Sequence, residues 1–461
     1  MPRRAAEDPR AGPRSVQCSG YGLGRLGCRM LVCMLTACSV GSVLPLGAPA
    51  QQPDAGESLG SLWLAANRAA AAGNHAKERS LMARASALAP QHPAPLYGLA
   101  RADARTGRID EALRILDHLA AMGFARFDAT DSAFSKLTNS PGFARIAARL
   151  AENRRPIISS DTAFIIPGAD RIPENIAYDP RGDVFYIGSL AQHSVTRIWP
   201  SGDTSTIAGP KDGLLRVVGM KTDTSRNRLW VATWGPIRDS AQVAKGREYI
   251  GRIFAFDLMS GREVLMLTPR DTLHSHSFND LVVAPNGDVY ITDTNEGSIW
   301  RVRAGVDTLE YFFAPDSSRF NAANGIALDD SGQHLYVAFA EGIARLDVRA
   351  GRARLLPVPL DVTTASVDGL YWYHGDLIGV QMARSVERVV RFTLDHTGSR
   401  VLGAEVLGRS HPAFRFPTTG VIVRDSLYYI ANPGWDRLED DGEIQPADTP
   451  SPTIILRLPL R

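Results

Sequence analysis

Past residue 38 the chain contains no cysteine: all four, Cys18, Cys28, Cys33 and Cys38, fall in its opening segment. The rest therefore has no disulfide, no thiol nucleophile and no sulfur ligand, and a metal bound there must be held by oxygen or imidazole. One-sided charge is also lacking. The 51 Lys and Arg nearly balance the 49 Asp and Glu, for a formal net charge of +2. Acids and bases are interspersed, so no basic stripe points to nucleic acid. Beyond the first fifty residues no run approaches the ~20 apolar residues that a membrane helix requires.

The opening segment reads as an export signal. Arg25 and Arg29 precede an apolar run from Met30 to Leu46, and Ala48-Pro49-Ala50 is a small-residue cleavage pattern. Residues 1–50 are therefore expected to be removed, with a mature start near Gln51 and a periplasmic or secreted product. Two alternatives stay open: Leu35-Thr36-Ala37-Cys38 resembles a lipoprotein box that would lipidate Cys38, and an uncleaved segment would act as a membrane anchor. Met30 could also be the true start.

Residues 51–155 are rich in Ala, Leu and Arg, and Ala72-Gly73-Asn74-His75 recurs 34 residues later as Thr106-Gly107-Arg108-Ile109. That period, with glycine between paired helices, matches tetratricopeptide helix hairpins. The segment from Phe134 to about Arg149 reads as a cap on two repeats. Two repeats bury little core alone, so they should lean on the rest of the chain or on a protein partner.

From Asp161 the pattern changes to short alternating strands separated by Gly, Asp, Asn and Pro turns. Six segments align, beginning at Glu174, Val218, Asn279, Asn324, Asp368 and Thr419, with steps of 44, 61, 45, 44 and 51 residues. A four-stranded repeat of about 45 residues is one propeller blade. The expected fold is an all-β six-bladed β-propeller over residues 161–461, preceded by the small all-α helical unit. The long second step predicts a loop insertion around Gly235 to Arg247. The strand Ala163-Phe164-Ile165-Ile166 is expected to complete the sixth blade, which removes two exposed edges.

The first residue of each repeat stands at the mouth of an innermost strand, facing the axis. Glu174, Asn279, Asn324 and Asp368 would bring four oxygen-bearing side chains together there, two of them carboxylates. Such a hard donor set suits a divalent metal, calcium before zinc, whereas without a cation the two carboxylates would repel. Asn, Asp and Gly are also common before strands for reasons of turn chemistry, but Glu is not a favoured turn residue.

These residues resemble the SMP-30/gluconolactonase/LRE-like six-bladed propellers. Pro173-Glu174, Phe278-Asn279-Asp280, Ala323-Asn324-Gly325 and Val367-Asp368-Gly369 look like that family's four metal-ligand motifs, in order, within residues 161–461. The resemblance implies a calcium- or zinc-dependent enzyme, lactonases among its members, and makes metal-bound Asp368 a candidate base. Sugar lactonases of the family carry an arginine two residues before the blade-three asparagine, where this chain has Ser277. A polyhydroxy sugar lactone therefore does not follow.

The resulting expectation is a metal-dependent hydrolase of a small-molecule lactone or ester, with Asp368 and His276 as candidate bases. Ser277, Phe278, Trp372 and Thr419 are candidate substrate contacts at the rim. Aromatics such as Trp234, Phe320 and Phe416 read first as packing between blades, and His274, His193 and His411 as loop residues. The rival is a noncatalytic propeller pinned by its metal, serving protein or ligand binding through rim and helices.

Overall fold

In the computed structural model the described residues are 57–125, 131–167, 171–243, 246–315, 319–382, 387–438, 445 and 451–461; the expected export segment, the Gln51 start and Cys38 lie outside them. No described helix is long and apolar enough to cross a membrane.

The chain opens with α1 (Leu59–Ala71), α2 (His75–Leu88), α3 (Pro93–Arg105) and α4 (Ile109–Ala121), followed after a 3-10 turn at Ser132–Phe134 by α5 (Pro141–Asn153). The apolar stripes of these helices meet in one core that includes Leu62, Met82, Leu99, Leu116 and Phe134. Its two buried acids are paired: Glu78 with Arg105 at 3.2 Å and Asp103 with Arg79 at 2.5 Å. Gly73 and Gly107 take φ of 71° and 81° at the turns inside the two helix pairs, a conformation glycine adopts without strain. Gly56-Glu57-Ser58-Leu59-Gly60 has the spacing of a nucleophile elbow, but the Ser58 hydroxyl accepts from Ser61 N–H and caps α1.

The remaining chain forms six four-stranded antiparallel sheets. Blade one is β2 (Ile176–Asp179), β3 (Val184–Ser189), β4 (Ser194–Ile198) and β5 (Thr204–Ala208); blade two is β6 (Arg216–Asp223), β7 (Arg228–Pro236), β8 (Tyr249–Asp257) and β9 (Glu263–Leu267). Blade three is β10 (Phe278–Val283), β11 (Val289–Asp293), β12 (Ser298–Val302) and β13 (Leu309–Phe313); blade four is β14 (Ile326–Leu328), β15 (His334–Phe339), β16 (Gly342–Asp347) and β17 (Arg352–Leu355). Blade five is β18 (Val367–Tyr373), β19 (Asp376–Gln381), β20 (Arg388–Leu394) and β21 (Val401–Arg409); blade six is β22 (Gly420–Val423), β23 (Ser426–Ile430) and β24 (Thr453–Pro459). The fourth strand of blade six is β1 (Asp161–Ile166), which pairs with β24 from Asp161↔Arg457 to Ile166↔Thr453. The first strand of the propeller thus closes the ring from the last blade, as its outer-strand character predicted.

Each inner strand touches the next, and β22 touches β2. Apolar clusters fill the wedges between blades, for example Trp230, Ile253, Phe278, Ile291 and Trp300 between blades two and three. Strands alternate in direction within a blade, so chain position assigns every residue to one of two faces. All inner strands start on one face, here the entry face, and end on the other, the exit face. The blade-two insertion lies on the entry face as an extension of β7 and β8 with a short helix, α6 (Ser240–Val243).

Candidate functional site

The six axial positions fall where the inner strands begin. In β6, β10 and β18 the ladder register shifts at these residues, between Val217 and Gly219, Phe278 and Leu281, and Val367 and Leu370. A bulge re-aims a side chain, and here it falls beside Val218, Asn279 and Asp368. The following glycines reflect the close approach of neighbouring blades. A Cβ on Gly219 would fall onto the Asn279 carbonyl oxygen, and one on Gly325 onto the Asp368 carbonyl oxygen.

Glu174, Asn279 and Asp368 are almost wholly buried, and Asn324 is half-buried. Glu174, Asn279 and Asn324 each have one polar end occupied, and Asp368 has both. Glu174 Oε2 accepts from the Trp435 indole N–H. The Asn279 amide donates to Thr294 Oγ1 at 2.9 Å, and the Asn324 amide donates to Asp368 Oδ1 at 2.8 Å. Asp368 Oδ2 accepts from Thr418 Oγ1 at 2.6 Å. The other ends are orphaned: Glu174 Oε1, Asn279 Oδ1 and Asn324 Oδ1 are buried with no hydrogen-bond partner. Neighbouring Asn175 Oδ1 is in the same condition. Leaving a buried acceptor unpaired costs about 1–3 kcal/mol, so three in one ring need a physical reason.

The charges tell the same story. Burial, then the charge of Asp368, pushes the Glu174 carboxyl well above the usual carboxylate range. Burial raises Asp368 to about 6, opposed by its bonds from Thr418 and Asn324. Two carboxylates that resist ionisation beside amide oxygens with no donor form a set that fits a hard cation. No cluster of three or more His, Cys, Asp or Glu able to hold a metal occurs among the described residues; the axial set has two such residues and two asparagines.

Sequence reasoning missed several participants. Trp435 belongs to a 3-10 turn after β23, outside the repeat register, and packs with Ile172, Leu190, Val218, Trp234 and Tyr249 as an apolar roof beside Glu174. Thr294 supplies the hydroxyl that orients Asn279, as Thr418, beside the expected contact Thr419, does for Asp368. Tyr371 is fully buried deeper along the axis, where its oxygen accepts from Gly420 N–H and its ionisation is suppressed by burial and by Asp280, Asp368 and Glu174. The only advance signal for Trp435, Thr294 and Tyr371 was position within a repeat, available for Tyr371 and absent for Trp435.

The expected bases and substrate contacts are placed differently. His276 is fully buried with Nδ1 2.7 Å from Asp293 Oδ2, and its ring edge meets Trp300 in β12 at 5.1 Å. Its Nε2 is unpartnered, 3.7 Å from Asp271 Oδ2. Its imidazole thus packs within blade three, while its backbone N–H donates to the carbonyl oxygen of Tyr249 in β8 at 3.2 Å. Phe278 is fully buried in the wedge between blades two and three, its ring against Gly251, and so lines no cleft. Trp372 stacks on Tyr336 at 5.4 Å near the exit face, four residues along β18 from Asp368. Four strand residues span about 13 Å, which separates it from the entry-face rim. Thr419 bonds the Glu174 carbonyl oxygen and ties blade six to blade one. Ser277 is buried, and its N–H donates to Asp293 Oδ1 at 2.9 Å.

The helical unit docks on the entry face at blade five. Buried Arg388, at the start of β20, donates to the Met122 carbonyl oxygen just past α4 at 3.1 Å and to Gln381 Oε1 at 2.7 Å. Arg409, at the end of β21, donates to the carbonyl oxygens of Glu152 and Arg155 at the end of α5 at 3.1 and 2.8 Å. Two guanidinium groups therefore cap two helix C-termini, where the helix dipole favours positive charge.

Fold and site define a six-bladed propeller with an oxygen-lined axial site, preceded by tetratricopeptide helices. The tetratricopeptide repeat family model matches residues 64–126. Among solved structures the chain is similar to a gluconolactonase of Xanthomonas campestris, at 16% identity and TM-score 0.45 over 67% of this chain and 93% of that one. It is also similar to virginiamycin B lyase from Staphylococcus aureus, at 15% identity and TM-score 0.44 over 64% and 98%. A third is a luciferin-regenerating enzyme, at 13% identity and TM-score 0.43 over 66% and 95%. No curated protein matches the chain. The propeller assignment rests on the six sheets themselves.

Proposed function

We propose that the protein is a metal-dependent hydrolase of a lactone or related ester, with calcium preferred over zinc, held by Glu174, Asn279, Asn324 and Asp368. The observation that carries this reading is the ring of three orphaned oxygens beside Asp368. Bound there, a divalent cation would polarise the substrate carbonyl and offset the charge developing on its oxygen. The chain's own residues do the rest. Asp368, displaced upward by burial, is suited to take a proton from the attacking water near neutral pH. Thr418 holds its second oxygen, Trp435 fixes Glu174, and the roof of Trp234, Tyr249 and Trp435 excludes bulk water. His276 has no part in this scheme. The docked helices stand beside the entry rim, which supports a role in shaping access as well as any partner binding. The pattern of residues 1–50 supports action outside the cytoplasm.

The test is hydrolysis of a panel of lactones and aryl esters by the purified protein with calcium, with zinc, and after chelation. Metal-dependent turnover that disappears in Asp368→Ala, with circular dichroism unchanged, supports the hydrolase. No turnover on any substrate, together with a metal-dependent rise in melting temperature, would instead establish a noncatalytic propeller pinned by its cation.

A further inference from the structure

The axis has a second opening, on the exit face. A cavity of ≈ 530 Å³ lies there, lined by residues from all six blades, among them Lys221, Val282, Ile326, Leu370, Tyr371 and Trp372. The walls are mainly aliphatic and aromatic, and one ammonium group stands within them. Lys221, in β6, is half-buried with Nζ 5.8 Å from the centre of the Tyr371 ring. No described acid forms a hydrogen bond or ion pair with it. The carboxylate that feels its charge, Asp280, accepts instead from the backbone N–H groups of Leu281 and Ile326 at 2.9 and 3.3 Å.

A cation partly withdrawn from water among apolar walls gains by acquiring an anionic partner. The cavity is of the size that small ligands occupy, and it offers that partner an apolar body site. We propose that it binds a small organic monocarboxylate with an aromatic or aliphatic body, the carboxylate on Lys221 and the body against Tyr371, Trp372 and the aliphatic side chains. Arg424 also lines the cavity but is exposed, on the turn between β22 and β23, and inorganic phosphate has no body to set against the apolar walls, so the half-buried ammonium matches an organic carboxylate better. Tyr371 separates this cavity from the entry-face site: its ring faces Lys221, while its oxygen accepts from Gly420 N–H. The two ends of the axis therefore bind different things.

Isothermal titration of the full chain with phenylacetate, its neutral isostere phenylacetamide and inorganic phosphate tests this. Phenylacetate should bind at least about tenfold more tightly than the amide or phosphate, and Lys221→Met should remove about that factor for phenylacetate while leaving the amide unchanged. Glu174→Gln should not alter phenylacetate affinity. Equal binding of acid and amide, phosphate binding as tightly as phenylacetate, undiminished phenylacetate binding in Lys221→Met, or no binding into the millimolar range would overturn the proposal. So would sensitivity to Glu174→Gln, which would place the ligand at the entry face. Should Lys221→Met fail to fold, the acid–amide comparison in the unaltered chain decides alone.

Discussion

Replacing Glu174 with Gln should move stability in opposite directions with and without metal. In the metal-free protein Glu174 Oε1 has no donor, and burial with the nearby charge of Asp368 opposes ionisation. Glutamine keeps an oxygen for the Trp435 N–H, adds an amide donor facing acceptor oxygens, and carries no charge. Relief of one orphaned acceptor is worth about 1–3 kcal/mol, or roughly 2–10 °C in melting temperature. With calcium at about a hundred times its Kd, the unaltered protein should gain about 2.7 kcal/mol by linkage, and the variant should lose most of that gain. Six of the seven tryptophans lie in the propeller, so their fluorescence follows its melting. The sign with pH also follows. Glu174 and Asp368 have folded-state pKa values above their unfolded ones, so their contribution is fully present below the unfolded value. It is lost as pH rises, for Asp368 from about 4 through about 6. The metal-free unaltered protein should therefore weaken over that window, and Glu174→Gln should flatten the slope. A variant that is less stable than its parent in chelator yet keeps the full calcium shift would refute the cation reading of this ring.

Two further outcomes concern the helical unit. Arg388→Leu removes a charge-assisted bond worth about 1.5–3 kcal/mol from the joint with α4, so trypsin should cut the connection near Arg155 faster while propeller melting changes little; an unchanged cleavage rate would show that Arg409 alone holds the joint. His92 caps α3 by accepting from Ala94 N–H at 2.9 Å, and burial lowers its pKa from 6.5 to about 3. A depressed folded-state pKa gives stability that is present above the unfolded value and lost below it, about 2 kcal/mol by pH 5. His92→Asn, which caps equally well, should shift loss of far-UV helix signal to lower pH, and the same acid midpoint in both proteins would exclude His92 as its cause.

The propeller was legible because each blade repeats one pattern, and the axial column because the first residue of an inner strand has a single direction to face. One step off that register, the reading failed. Phe278 precedes Asn279 by one residue, and strand alternation sends it into the wedge between blades. Trp372 shares the strand of Asp368 but lies at its far end. His276 sits before the strand, where Asp293 and the second and third strands of blade three claim it. Trp435 comes from an irregular turn, and the Arg388–Met122 contact joins residues 266 positions apart, so no local pattern announces either.

The two faces of the ring differ in a way that bears on function. Exit-face turns between first and second strands are short, such as residues 374–375 and 424–425, whereas the entry face carries the long connections 237–248, 356–366 and 431–452. Binding and catalytic groups concentrate on such loops above a rigid scaffold. Here the blade-two insertion contributes Tyr249 to the roof, the blade-six connection contributes Trp435, and the helices clamp blade five through Arg388 and Arg409. All three additions surround the mouth where the unpaired oxygens of Glu174, Asn279 and Asn324 lie beside Asp368. A cation needed only to pin the blades would not require an elaborated rim. The asymmetry therefore favours chemistry at the entry face over a purely structural ion, and it predicts that shortening 237–248 impairs turnover more than it lowers the propeller's melting temperature.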